Sequence, residues 1–146
     1  MPSEPQILLE HVSGTLTVEV SAAPMRLAKK PANRAARPEA EVVALRFEAS
    51  IFENGEFRSL TEPELEEIAF AEQAIRLRSG RTTVVIRFDA PNKKHFTVRD
   101  LIAAIEVTEQ ATRPSSDWFG GVDIHHVFFE GIAVGRDGIG SILWGS

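Results

Sequence analysis

The order of apolar periodicities predicts one α+β domain: a mostly antiparallel or mixed β-sheet with two helices packed on one face, in the order β-β-loop-β(β)-α-β-α-β-β. Three observations lead there. Period-2 alternation recurs in short runs, the mark of strands with one wet face. Two threonines, Thr61 and Thr97, stand where helix N-caps belong, each with an acid three residues on (Glu64, Asp100). Only Val122–Ile132 comes near to being apolar on both faces, so a doubly wound parallel sheet, whose strands are buried on both sides, is disfavoured. That strand is expected at the sheet centre. With 146 residues the chain fits a single domain, able to bury roughly two-thirds of the surface its unfolded form exposes.

Residues 7–12 and 15–20 read as two strands, the second alternating Leu16, Val18 and Val20 with Thr15, Thr17 and Glu19, and Ser13-Gly14 suggests a hairpin turn between them. The pattern then stops. Residues 22–38 hold three prolines, six alanines and five basic residues with almost nothing to bury, which predicts a mobile loop. Val42–Phe52 resumes as a long strand with Val43, Leu45, Phe47, Ala49 and Ile51 on one face. Asn54-Gly55 then marks a tight hairpin whose return strand lies within Glu56–Ser59.

The Thr61 cap predicts a helix running to a stop at Gly80, with acids crowding its first turn, Arg76 and Arg78 closing its last, and Leu60 and Leu65 placed as a hydrophobic staple. Thr82–Asp89 is a strand. The second helix runs from the Thr97 cap to about Arg113, before Pro114, burying Val98, Leu101, Ile102 and Ile105. Gly135-Arg136-Asp137-Gly138 forms the tip of a last hairpin returning through Ile139–Trp144.

Composition bounds the function classes. There is no cysteine, so disulfides and thiolate metal sites are excluded and a cytoplasmic location is favoured. The start lacks a basic n-region and a long apolar run, so no signal peptide is expected, and no run approaches the ~20 apolar residues of a membrane span. The net charge of −5 hides an asymmetry: residues 22–38 carry Arg26, Lys29, Lys30, Arg34 and Arg37 with no acid, leaving 11 basic and 21 acidic residues elsewhere, a net of −10. Such a body repels phosphate backbones. The arm itself suits an acidic partner, RNA, or simply solvent.

The residues best able to carry chemistry are Asp123, His125 and His126. On a strand Asp123 and His125 point one way and His126 the other, so a carboxylate and an imidazole converge as metal ligands or as base and orienter. A metal would need a third ligand, which His11, His95, Asp117 or Glu130 could supply only through the fold. The alternative is an ordinary sheet histidine bonded to Asp123. Lys93-Lys94 before the second helix resemble an anion site only loosely, since no glycine lets a phosphate approach the backbone. The glycines at 131, 135, 138 and 140 are not followed by a helix and make no dinucleotide site. Trp118 and Phe119, beside Gly120-Gly121, read either as a buried plug or as an exposed partner anchor.

On the first helix, Leu65, Ile68, Ala69, Ala71 and Ile75 make the sheet-facing stripe, while Phe70, Ala74 and Leu77 fall on the opposite side. Phe70 and Leu77 are therefore expected to meet a second subunit, two-fold pairing being the commonest closed arrangement. Together these readings predict a non-enzymatic cytosolic protein-binding or assembly subunit that self-associates, with no cofactor, no bound metal and no membrane partner. The alternatives are a small enzyme or ligand-binding protein using the Asp123/His125/His126 strand, and RNA contact through the 26–37 arm.

Overall fold

The structure, a computed structural model, describes residues 6–21, 41–79, 83–113 and 126–145. They form one small α+β domain: a mixed sheet packed against one long helix, with a second helix of one turn. The strands are β1 (Gln6–Leu8), β2 (Ser13–Ser21), β3 (Glu41–Glu53), β4 (Glu56–Arg58), β5 (Ile68–Phe70), β6 (Ala74–Ser79), β7 (Ile86–Asp89), β8 (Phe96–Thr97), β9 (Phe128–Val134) and β10 (Ile139–Gly145). The helices are α1 (Glu62–Leu65) and α2 (Val98–Thr112). The main sheet runs β4-β3-β2-β9-β10-β6-β7, with β1 also on β9, while β5 and β8 form a separate two-stranded ribbon. Every pairing is antiparallel except β6 with β10. The apolar β9 lies at the centre, as its sequence predicts.

The inner faces follow the period-2 rule except in β9, where an extra residue leaves both Phe129 and Ile132 inward. Leu16, Leu45, Phe47, Ile51, Ile75, Leu77, Phe129, Ile132 and Ile142 point inward and are buried, meeting Val98, Leu101, Ala104 and Ile105 of α2. Thr97 caps α2 as its sequence predicts: its hydroxyl accepts from the Asp100 N–H, and the Asp100 carboxylate accepts from the Thr97 N–H at 2.9 Å. Among the described residues no strand pairs with residues 41–50 of β3 on the side away from β2, a liability for any sheet edge. The helix covers that edge with its own side chains. Glu106 accepts from the Phe47 N–H at 3.0 Å, and Gln110 donates to the Leu45 carbonyl at 3.1 Å. Among the described residues no helix is long and apolar enough to cross a membrane.

The N-terminal strands do not form a hairpin. β1 and β2 both run antiparallel to β9, interrupted by a turn at residues 9–12 in which Leu9 adopts a positive φ of 58° and the Val12 N–H donates to the Leu9 carbonyl. Leu9 and Val12 are both buried. Their apolar burial holds the turn against the core, something a solvated hairpin tip would not do. Gly14 is consequently not a turn residue. A Cβ there would sit 2.5 Å from the Phe47 ring, so glycine is what lets β2 approach β3 at that point.

The first helix stops after one turn. Its cap is as predicted, with a complete Thr61/Glu64 capping box, but residues 68–70 pair with β8 and residues 74–79 form β6 between β10 and β7. The stretch Ile75-Arg76-Leu77-Arg78-Ser79 alternates strictly, and pairing on both sides outweighs the local helix signal. Leu77 is 0% exposed. The expectation that Leu77 faces a second subunit is therefore corrected: it lies in the domain's own core. Phe70 is half-buried against Phe96, ring centroids 6.2 Å apart, rather than standing on a helix's outer face.

Candidate functional site

Of the residues singled out for catalysis, only His126 is described; it is half-buried, two positions ahead of β9. Asp123 and His125 lie outside the described residues, as do Trp118, Phe119 and the basic residues Arg26, Lys29, Lys30, Arg34 and Arg37. Among the described residues no three histidine or carboxylate side chains gather as metal ligands.

A buried polar centre stands at the C-terminal end of α2. Glu109 is 0% exposed and Arg113 3%. Arg113 Nε donates to Glu109 Oε1 at 2.7 Å, and Trp144 Nε1 donates to Glu109 Oε2 at 2.9 Å. The guanidinium carbon lies 5.3 Å from the Trp144 ring centroid, and that ring meets Phe47 and Phe129 edge-on at 5.6 and 5.7 Å. The β9–β10 pairing shifts register here, with one extra residue on β9 between Phe129 and Ile132 opposite Ile142–Trp144. Both carboxylate oxygens are bonded and shielded from solvent, so the centre has no open face for a substrate. It fixes the C-terminal end of α2 to the sheet.

The exposed counterpart is the β3–β4 hairpin. Asn54 and Gly55 carry successive positive φ values of 53° and 80°, the type I′ turn that matches strand twist. Phe52 and Phe57 stand directly opposite each other across it, 55% and 66% exposed, with ring centroids 4.8 Å apart. The base of the hairpin is clamped. Arg58 donates to both oxygens of Glu64 at 2.8 Å each, and through Nε to Glu53 at 2.7 Å. Glu64 also closes the α1 capping box, so one carboxylate ties the hairpin to the helix start. The signal was legible in part: Phe52 falls out of phase with the inward set Leu45, Phe47 and Ile51, which puts it on the wet face.

Hydrogen bonding from Arg58, then from the Thr61 backbone, lowers the Glu64 pKa from the usual 4.5 to about 2, while Arg58 is held more firmly charged. A depressed carboxylate pKa stabilises the fold above the unfolded value, and that contribution is lost as pH falls through the folded one. The clamp should thus weaken between about pH 4.5 and 2. Urea midpoints of the wild type and of Glu64→Gln are expected to differ most above pH 5 and to converge towards pH 2; a gap that is constant with pH would sink this reading.

Searches against known protein families, curated sequences and solved structures found no match to the chain.

Proposed function

We propose that this protein is a non-enzymatic cytoplasmic binding module that self-associates, and that the contact runs through the β3–β4 hairpin. One observation carries the reading: Phe52 and Phe57 form a contiguous exposed aromatic pair on an edge hairpin whose base is held by three charged side chains. Aromatic anchors on a rigid support are what binding hot spots require, because little conformational freedom is lost on docking. β4 is a three-residue edge strand, which a second copy could meet about a two-fold axis.

The magnitudes favour a weak pair. With ~200 Å² per phenylalanine, a little over half of it exposed, two copies would bury on the order of 400–500 Å² of ring surface. At about 25 cal/mol per Å² that is roughly 10–12 kcal/mol gross, against an association cost of about 4–15 kcal/mol. The balance, with rim contacts added, points to a micromolar dimer. Light scattering over a micromolar concentration series should show mass rising towards two copies. Phe52→Ser with Phe57→Ser should hold it at one, with unfolding still cooperative because both rings are solvent-exposed. A wild type that stays monomeric throughout would end the proposal.

A further inference from the structure

The outer face of the sheet at β6, β7 and β10 carries charge in an arrangement that stability alone does not favour. Arg76 and Arg87 are directly opposite across the β6–β7 pairing, both exposed on the outer face. Like charges in directly opposite positions destabilise a sheet, and a placement that breaks a local rule marks a candidate site of function. Arg78 follows two residues along β6 on the same face, where it donates to Ser141 Oγ, and Lys94 lies on the wall of the adjoining groove. This is a concentration of cations in a domain whose charge outside residues 22–38 is strongly acidic.

Their existing partners are weak competitors for a ligand. Arg87 meets Asp89 on its own strand in a pair that is two-thirds or more exposed on both sides, a geometry worth ~0–1 kcal/mol in water, and Arg76 donates to the Asp137 carbonyl. No ion pair holds Arg78 or Lys94 among the described residues. The acids nearby are Glu72 on the groove wall, Asp89, and Asp137, whose carboxylate accepts from the Ile139 N–H. The groove is open and shallow, about 790 Å³, and the amides of Gln6 and Gln73 also line it.

We infer that this face docks an extended acidic peptide segment of a partner protein, with carboxylates at alternate residues set against Arg76, Arg78 and Arg87. An extended chain puts every second side chain on one side at about 6.6–6.8 Å, the same repeat that separates Arg76 from Arg78 along their own strand. Guanidinium forks bind carboxylates through paired hydrogen bonds, and glutamine amides can satisfy a peptide backbone that brings its own donors and acceptors. The groove is open along one side, so a strand can lie across its row of side chains. The inference is independent of whether the aromatic hairpin pairs two copies.

The test uses the full chain and a fluorescein-labelled octapeptide alternating glutamate and serine, followed by anisotropy at low salt. Saturable binding that weakens as salt rises is expected. Arg76→Gln with Arg87→Gln should lower affinity by about tenfold, the scale of losing two exposed charge pairs, and Lys94→Gln should lower it by less. Arg46→Gln removes an exposed cation from a different part of the sheet, on β3, and should leave affinity unchanged. Lys94 lies outside the sheet strands, so its variant keeps the test open if the double variant melts early. Equal loss with Arg46→Gln, equal binding of a peptide with its four glutamates in one block, tighter binding of single-stranded RNA, or competition by millimolar inorganic phosphate would each overturn the inference.

Discussion

Arg113→Ala is expected to destabilise the domain by about 3–5 kcal/mol, one of the two largest effects of any single truncation here. The reason is what it leaves behind. Glu109 is fully buried, and without the guanidinium its carboxylate would keep only the Trp144 indole N–H among the contacts described above. Breaking such a pair from one side strands a charge in low dielectric, whereas removing both charges together does not. Glu109→Leu with Arg113→Met should therefore recover much of the loss. It should still fall short of wild type by about 1–3 kcal/mol, because the indole N–H is then buried without its acceptor. Adding Trp144→Phe to that pair should close part of the remaining gap. Successive differences between the urea midpoints of the four proteins separate these terms. If Arg113→Ala shifted stability by less than about 1 kcal/mol, water would have to reach Glu109, and the centre would no longer count as buried.

How much of this was legible in sequence can be judged residue by residue. Both caps were readable, since Thr61 and Thr97 signal through strictly local hydrogen bonds to the acids three residues on. A cap announces where a helix starts, however, and carries no information on how far it goes. Residues 68–79 satisfy a helical stripe while residues 75–79 also satisfy a period-2 pattern, and the choice was made by pairing with β8 and β10, distant in sequence, and with β7, the next strand along. The N-terminal turn was misplaced for a similar reason: Ser13-Gly14 looks like turn chemistry, but Gly14 serves the approach of β2 to the Phe47 ring. Glu109 and Arg113 were visible as an i,i+4 pair of the kind that normally decorates a solvated helix. Nothing local says that Trp144, thirty-five residues on, comes to cover it. Asp123 and His125 lie outside the described residues, so the strand chemistry they suggest stands as an expectation from sequence.

Leu77→Ala is expected to cost about 2–5 kcal/mol, and its sign separates the two readings of residues 68–79. In β6 the side chain is 0% exposed, and Ile132, Ile142 and Ile75 belong to the same core, so truncation removes packed apolar volume and leaves a cavity. On the outer side of a helix the same substitution would be near neutral or mildly stabilising, because alanine is the better helix former. Neighbouring glycine sharpens the point. A Cβ at Gly140 would come within 2.9 Å of Leu77 Cδ2, so β10 is already pressed against this side chain and little slack remains to refill the space. In a domain of this size about 1 kcal/mol corresponds to a few degrees of melting temperature, so a drop on the order of 10 °C is the expected reading. Leu77→Glu should go further and abolish cooperative unfolding, since it puts an unpaired carboxylate into the core of a domain stable by only about 5–15 kcal/mol. Phe57→Ser, at the exposed hairpin, serves as the contrast and should cost no more than about 1 kcal/mol, the scale of one cross-strand aromatic pair. A Leu77→Ala protein that melts with the wild type would remove β6 from the sheet and return residues 74–79 to the helix that the Thr61 cap first suggested.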